Sequence, residues 1–125
     1  MDIAKEARNN SYSPYSKFKV GAALLTKTGK IYKGCNVESA SYSPSCCAER
    51  TAFFKAVSEG EKEFDSIAVC GGSKDISDYC LPCGVCRQVM SEFCDKDFKI
   101  YVTNGKDVKS YTLDELLPHS FELEK

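Results

Sequence analysis

Twice along this chain a strand pattern gives way to a helix pattern, and both times cysteines sit at the junction. SCCAER (45–50) opens one helix and LPCGVCRQ (81–88) opens the next. This repeated junction constrains the fold more than any other feature. A strand–helix–strand unit implies parallel strands joined by a right-handed crossover. In open sheets of this kind, ligands bind beyond the C-terminal strand edge, where the helices start. If the strands that precede the two helices are neighbours, both cysteine-bearing stretches open onto one site.

The remaining elements follow from periodicity. Residues 2–10, DIAKEARNN, read as a short helix ending at the Asn pair, with SYSPYS as a loop. FKVGAALL (18–25) and KIYKGCNVE (30–38) flank TKTG as a hairpin, with Phe18, Val20, Ala22 and Leu24 alternating. Residues 47–59 place Ala48, Ala52, Phe53, Ala56 and Val57 on one helical face, and Gly60 ends the run. SIAVCGG (66–72) is an apolar strand. From Cys83 to Cys94 a second helix shows Val85, Cys86, Val89, Met90 and Phe93 on one face. FKIYVT (98–103) and VKSYT (108–112) are the last strands, and TLDE (112–115) is a capping box for a terminal helical turn. The expected fold is α/β, a three-layer α/β/α arrangement around a mixed five-stranded sheet. At 125 residues it fits one domain, 1–125.

Charge and composition narrow the function. The net charge is −1 and the lysines at 17, 19, 27, 30 and 33 are scattered, which reads as the solvated face of a hairpin. A protein gripping a nucleic-acid backbone needs a basic field, so a small-molecule substrate is expected and nucleic acid is not. The longest apolar runs, such as GAALL, are too short for a membrane span or a signal peptide, which points to the cytoplasm. Eight cysteines in a reducing compartment suggest metal binding or catalysis rather than disulfides. Cys35, Cys70 and Cys94 sit in apolar patterns and read as core residues.

Cys83 and Cys86 are three apart, so their sulfurs share one side of a first helical turn. Cys47 at the other helix start is the candidate third ligand. Cys80 extends the run to C-x-x-C-x-x-C and could compete, but it precedes Pro82, outside the helix start. Cys46 diverges from Cys47, so its backbone is the more useful part. Counting around the helix puts Glu49 near the centre of the apolar face, where a carboxylate is costly unless something meets it. An exposed first-turn Glu favouring the helix dipole is the plain alternative. The sharper reading is a carboxylate aimed at water on a metal ion. Three thiolates around Zn²⁺ carry one excess negative charge, which helix N-termini and Arg50 can offset. A surface Arg50 paired with Glu49 or Glu59 is the simpler alternative. His119, the only histidine, reads as a surface residue.

C-A-E at 47–49 with P-C-x-x-C at 82–86 matches the zinc deaminase signature, with Cys as the first ligand. FKVGAALL, GCNVESASYSPSCCAERTAFFKAV, LPCGVCRQVMSEF and LDELLPHSF together resemble a cytidine deaminase of the small three-cysteine branch, in order from about Tyr12 to Phe121. That resemblance implies conversion of cytidine and 2′-deoxycytidine to uridine and 2′-deoxyuridine, with ammonia released. It implies one zinc per subunit on Cys47, Cys83 and Cys86, with Glu49 as the proton shuttle. Asn36 and Glu38 would hold the ribose 3′-hydroxyl, and Phe18 would contact the pyrimidine. The backbone of Ala48, with Ser45 or Cys46, would read the base edge. A homotetramer with shared sites is implied, with Phe121 as the lid. The residues are compatible with these roles. Asn36 and Glu38 alternate onto one face at a strand end, and a neutral amide beside a carboxylate suits a hydroxyl and repels phosphate. Turn chemistry for that pair, and a core position for Phe18, are the plain alternatives. Two other functions compete: a structural zinc or thiol-redox module built on Cys80, Cys83 and Cys86, and a deaminase of another cytosine-containing small molecule.

Overall fold

The structure is a computed structural model that describes residues 1–41, 45–76 and 79–117. The elements run α1 (Asp2–Arg8), β1 (Lys19–Thr26), β2 (Ile31–Cys35), α2 (Ala48–Ser58), β3 (Phe64–Gly72), α3 (Gly84–Phe93), β4 (Lys99–Thr103), β5 (Val108–Thr112) and α4 (Leu113–Leu116). The sheet order is β2-β1-β3-β4-β5, with only β3 and β4 parallel. This is the mixed five-stranded sheet of an α/β fold. One face carries α1, and the other carries the main core beneath α2 and α3.

The strand adjacency expected from the strand–helix–strand pattern is corrected here. β2 and β3 are not neighbours, because β1 lies between them and pairs antiparallel with both. Two antiparallel steps restore the original direction. The C-terminal ends of β2 and β3 therefore still meet at one edge, and both helix starts open there.

Small residues let the helices sit directly on the strands. A Cβ on Gly34 of β2 would lie 2.3 Å from the Ala48 carbonyl oxygen and 2.6 Å from the Ala52 nitrogen. A Cβ on Gly21 of β1 would lie 2.0 Å from the Ala4 oxygen. Ala48, Ala52 and Ala56 of α2 are fully buried around Phe53. The Phe53 ring meets Phe64 edge-on at 5.0 Å and lies 6.0 Å from Phe98. Such pairs add about 0.5–1.5 kcal/mol each beyond the area they bury. The capping box at Thr112 forms as read: its hydroxyl accepts from Glu115 N–H, and the Glu115 carboxylate accepts from Thr112 N–H at 2.8 Å.

Two burial expectations change. Val85, in the first turn of α3, is 57% exposed and is not covered by any of the described residues. Cys70 is fully buried, but Cys35 and Cys94 are only partly so. The five hairpin lysines are exposed, as their scatter suggested.

Candidate active site

Cys47 and Cys83 are the N-cap residues of α2 and α3, both with extended backbone and neither using its side chain as a cap. That leaves both sulfurs free to point past the helix ends. Cys86, one turn into α3, is buried and completes a triad whose sulfurs all lie within 4.8 Å of one another. Cys47 Sγ is 3.7 Å from Cys83 Sγ, and Cys83 Sγ is 3.4 Å from Cys86 Sγ. Tetrahedral zinc with Zn–S bonds of about 2.3 Å separates its sulfurs by about 3.8 Å. Both separations lie within about 0.4 Å of that value, so the triad is of the size that holds such an ion. Cys80 is not in the group; its sulfur lies 3.2 Å from where a Gly71 Cβ would be, and burial pushes its thiol up to about 12. With its sulfur outside the triad, a module built on Cys80, Cys83 and Cys86 finds no support among the described residues.

The three sulfurs share protons unequally. Cys47 is pushed down to about 5, chiefly by a hydrogen bond from Cys86, with Arg50 and Cys83 adding to it against desolvation. Cys86 moves upward because it is the donor in that bond and is itself buried. The Arg50 guanidinium lies 3.5 Å from Cys47 Sγ through Nη2, and this thiolate contact raises its own pKa. Arg50 thus meets a thiolate and not the surface acids that the simpler reading offered.

Glu49 is 4% exposed beside this cluster, so the counted helix face placed it correctly. Burial pushes its carboxyl up to about 7, and its own backbone N–H pulls the other way. It is the second residue of α2, where a carboxylate also faces unsatisfied amides. Ala48, fully buried, carries one of those amides. The Cys46 N–H donates to the Val37 carbonyl at 2.8 Å and its carbonyl accepts from Val37 N–H at 2.9 Å, which leaves one carbonyl lone pair as its backbone contribution.

A cavity of about 160 Å³ is lined by Asn36, Glu38, Ser45, Cys46, Cys47 and Arg50, among others. It joins the sugar-binding candidates Asn36 and Glu38 to Cys47 of the sulfur triad. The Asn36 amide is held in one orientation: Oδ1 accepts from Val20 N–H at 2.9 Å and from the Ser11 hydroxyl, and Nδ2 donates to the Phe18 carbonyl at 2.8 Å. One Nδ2 hydrogen stays available. Glu38 accepts from the amides of Tyr15 and Ser16, both at 3.1 Å, and from the Ser16 hydroxyl. The Ser16 hydroxyl first, and then the Ser16 amide, hold its carboxyl below the usual range. Phe18 does not line this cavity; its ring lies against Gly71 at the end of β3, with Cε1 2.8 Å from where a Cβ would stand. Phe121 and His119 lie outside the described residues.

Some supporting residues escaped the sequence reading. Arg8 donates to the carbonyls of Lys19, Gly72 and Lys74, at 3.1, 2.6 and 2.6 Å, binding α1 to the edge where the site opens. Arg87 donates to the Pro82 carbonyl at 2.7 Å and the Leu116 carbonyl at 2.8 Å, fixing the turn before Cys83 against α4. Ser11 and Ser16 were visible only as members of a loop, although Ser16 stands two residues before Phe18.

The chain has clear relatives. The model of the cytidine and deoxycytidylate deaminase zinc-binding region matches residues 1–102. A cytidine deaminase of Sporosarcina psychrophila is 51% identical over 122 residues, covering 97% of this chain and 88% of that protein. The crystal structure of a cytidine deaminase from Burkholderia pseudomallei superposes with a TM-score of 0.88 at 47% identity, covering 96% of this chain and 94% of the other. A blasticidin-S deaminase of Bacillus cereus is 40% identical over 123 residues, 94% of this chain and 86% of that protein. With this match and a buried carboxylate beside a zinc-sized sulfur triad, the chain belongs to the zinc-binding cytidine and deoxycytidylate deaminase family.

Proposed function

We propose that the protein is a cytidine deaminase that hydrolyses the 4-amino group of cytidine and 2′-deoxycytidine, giving uridine or 2′-deoxyuridine and ammonia. The observation that carries this reading is Glu49: an acid buried against three clustered sulfurs, one of which, Cys47, lines the cavity that also holds Asn36 and Glu38. Cys47, Cys83 and Cys86 hold one zinc ion. When bound, zinc supplies the Lewis acidity that brings the ionisation of water into the neutral range. Glu49 takes a proton from the attacking water and passes it to ring N3, which makes C4 electrophilic. Oxygen bonds to C4. Glu49 then carries the second proton to the amino group, the C4–N bond breaks and ammonia leaves. A carboxyl lifted by burial is suited to both halves of this relay, since it gives up a proton as readily as it takes one near neutral pH.

Arg50 moderates the excess charge of three thiolates. The Ala48 amide, with the backbone of Ser45 or Cys46, reads the base edge. Asn36 offers a donor and Glu38 an acceptor to the ribose 3′-hydroxyl, and Phe18 meets the pyrimidine ring. A negative carboxylate in the sugar pocket favours a nucleoside over a nucleotide. The whole chain, 1–125, acts as one cytoplasmic domain in pyrimidine salvage. Among the described residues no helix is long and apolar enough to cross a membrane.

Tyr12, Tyr15, Val37, Leu81 and Val85 are each more than 40% exposed, and all lie in segments that flank the site. Their apolar surface supports a homotetramer in which neighbours close each pocket, with Phe121 as a lid. The test is incubation with cytidine: the cytidine absorbance band falls and ammonia appears in equal amount. No turnover by zinc-loaded protein would overturn the reading. The 40% identity to a blasticidin-S deaminase supports a second reading, a cytosine-containing antibiotic as substrate. Comparing cytidine, cytosine and blasticidin S decides between them, and the Asn36–Glu38 pair predicts cytidine.

A further inference from the structure

We propose that Ser16 is the positioning residue of the substrate pocket, coupling the sugar contact Glu38 to the base contact Phe18 through one hydroxyl. The proposal rests on the reading of those two residues given above. The Ser16 Oγ donates to Glu38 Oε2 at 2.5 Å and accepts from the Phe18 N–H at 3.1 Å. The Ser16 amide and the Tyr15 amide both converge on Glu38 Oε1 at 3.1 Å. A hydroxyl donates and accepts at once, so one side chain fixes both a carboxylate and the backbone two residues on. Between them Lys17 takes a left-handed backbone, φ 62°, the only positive φ outside glycine among the described residues. Ser16 braces this sharp reversal, and the reversal aims Phe18 at Gly71.

Burial separates positioning from plain stability. Ser16 is exposed. Removing its hydroxyl strands no buried polar group, because water can reach Phe18 N–H and Glu38 in its place. The cost therefore falls on the placement of Glu38 rather than on the folded state.

The experiment measures kcat and KM of the wild type, Ser16→Ala and Ser16→Thr on cytidine and on 3′-deoxycytidine, with thermal unfolding alongside. Ser16→Ala is expected to raise KM for cytidine about 10-fold, with kcat changed by less than about 3-fold. The penalty for lacking the 3′-hydroxyl, large in the wild type, is expected to shrink in Ser16→Ala and return in Ser16→Thr. An unchanged KM and an unchanged penalty in Ser16→Ala would overturn the proposal while leaving the Glu38 reading intact. A wild type that treats the two nucleosides alike would overturn the Glu38 reading itself, and the proposal with it. A Ser16→Ala chain that fails to fold would assign the residue to structure and also overturn the proposal.

Discussion

Gly34→Ala isolates the step that brings the two helix starts together. The new Cβ would stand 2.3 Å from the Ala48 oxygen and 2.6 Å from the Ala52 nitrogen, both backbone atoms of α2. Neither can swing aside as a side chain would. To reach even a 3.0 Å contact, the first turn of α2 must retreat by about 0.7 Å, carrying Cys47 and Glu49 with it. The sulfur of Cys47 now lies 3.7 Å from that of Cys83, and a retreat of that size opens a set already matched to zinc. Overpacking of this kind costs about 1–3 kcal/mol of stability. Misplacing reacting groups by about 1 Å costs about 10²-fold in rate. The assay pairs a chromophoric zinc competition with cytidine turnover, using Gly84→Ala as control because nothing lies within 4 Å of its Cβ. Gly34→Ala is expected to bind zinc at least about 10-fold more weakly and to lose about 10²-fold in kcat, with the control within about 2-fold. A Gly34→Ala protein with normal zinc affinity and normal kcat would refute the claim that this close approach sets the site.

Three further outcomes are expected. Glu49→Gln should keep its zinc while kcat falls by at least about 10³-fold, read by metal analysis and cytidine turnover on one sample, because the relay loses its only carboxylate. Cys47→Ala should lose zinc and Cys80→Ala should keep it, measured by equilibrium dialysis; the opposite pattern would favour a structural module. Zinc affinity should rise with pH between about pH 6 and pH 8 in competition titrations, since ligands must be deprotonated and the Cys86 thiol, raised by its bond to Cys47 and by burial, has to release its proton on binding.

Local periodicity was enough to place every element, because burial imposes it residue by residue. VKSYT and the Thr112 capping box fall where the sequence put them. Glu49 was legible for the same reason, since an acid on an apolar helical face needs a partner. The order of strands was not legible. Whether β1 or β3 lies beside β2 depends on pairing across distant segments, and no local pattern records it. The apolar face of α3 was overread at Val85, in the first turn, where the period does not report burial. Arg8 and Arg87 looked like ordinary basic residues because their partners are backbone carbonyls, up to 66 residues away, which leave no mark in the sequence. That Val37 engages the Cys46 amide and one lone pair of its carbonyl was not legible either, because the pairing joins two loop segments.

The central claim is that sulfurs from two helix starts, and no fourth thiol, hold a catalytic ion. X-ray absorption at the zinc edge of the purified protein tests it most directly. The account predicts three sulfur scatterers at about 2.3 Å and one lighter neighbour, the open coordination of a catalytic site. Four sulfurs at that distance would contradict it.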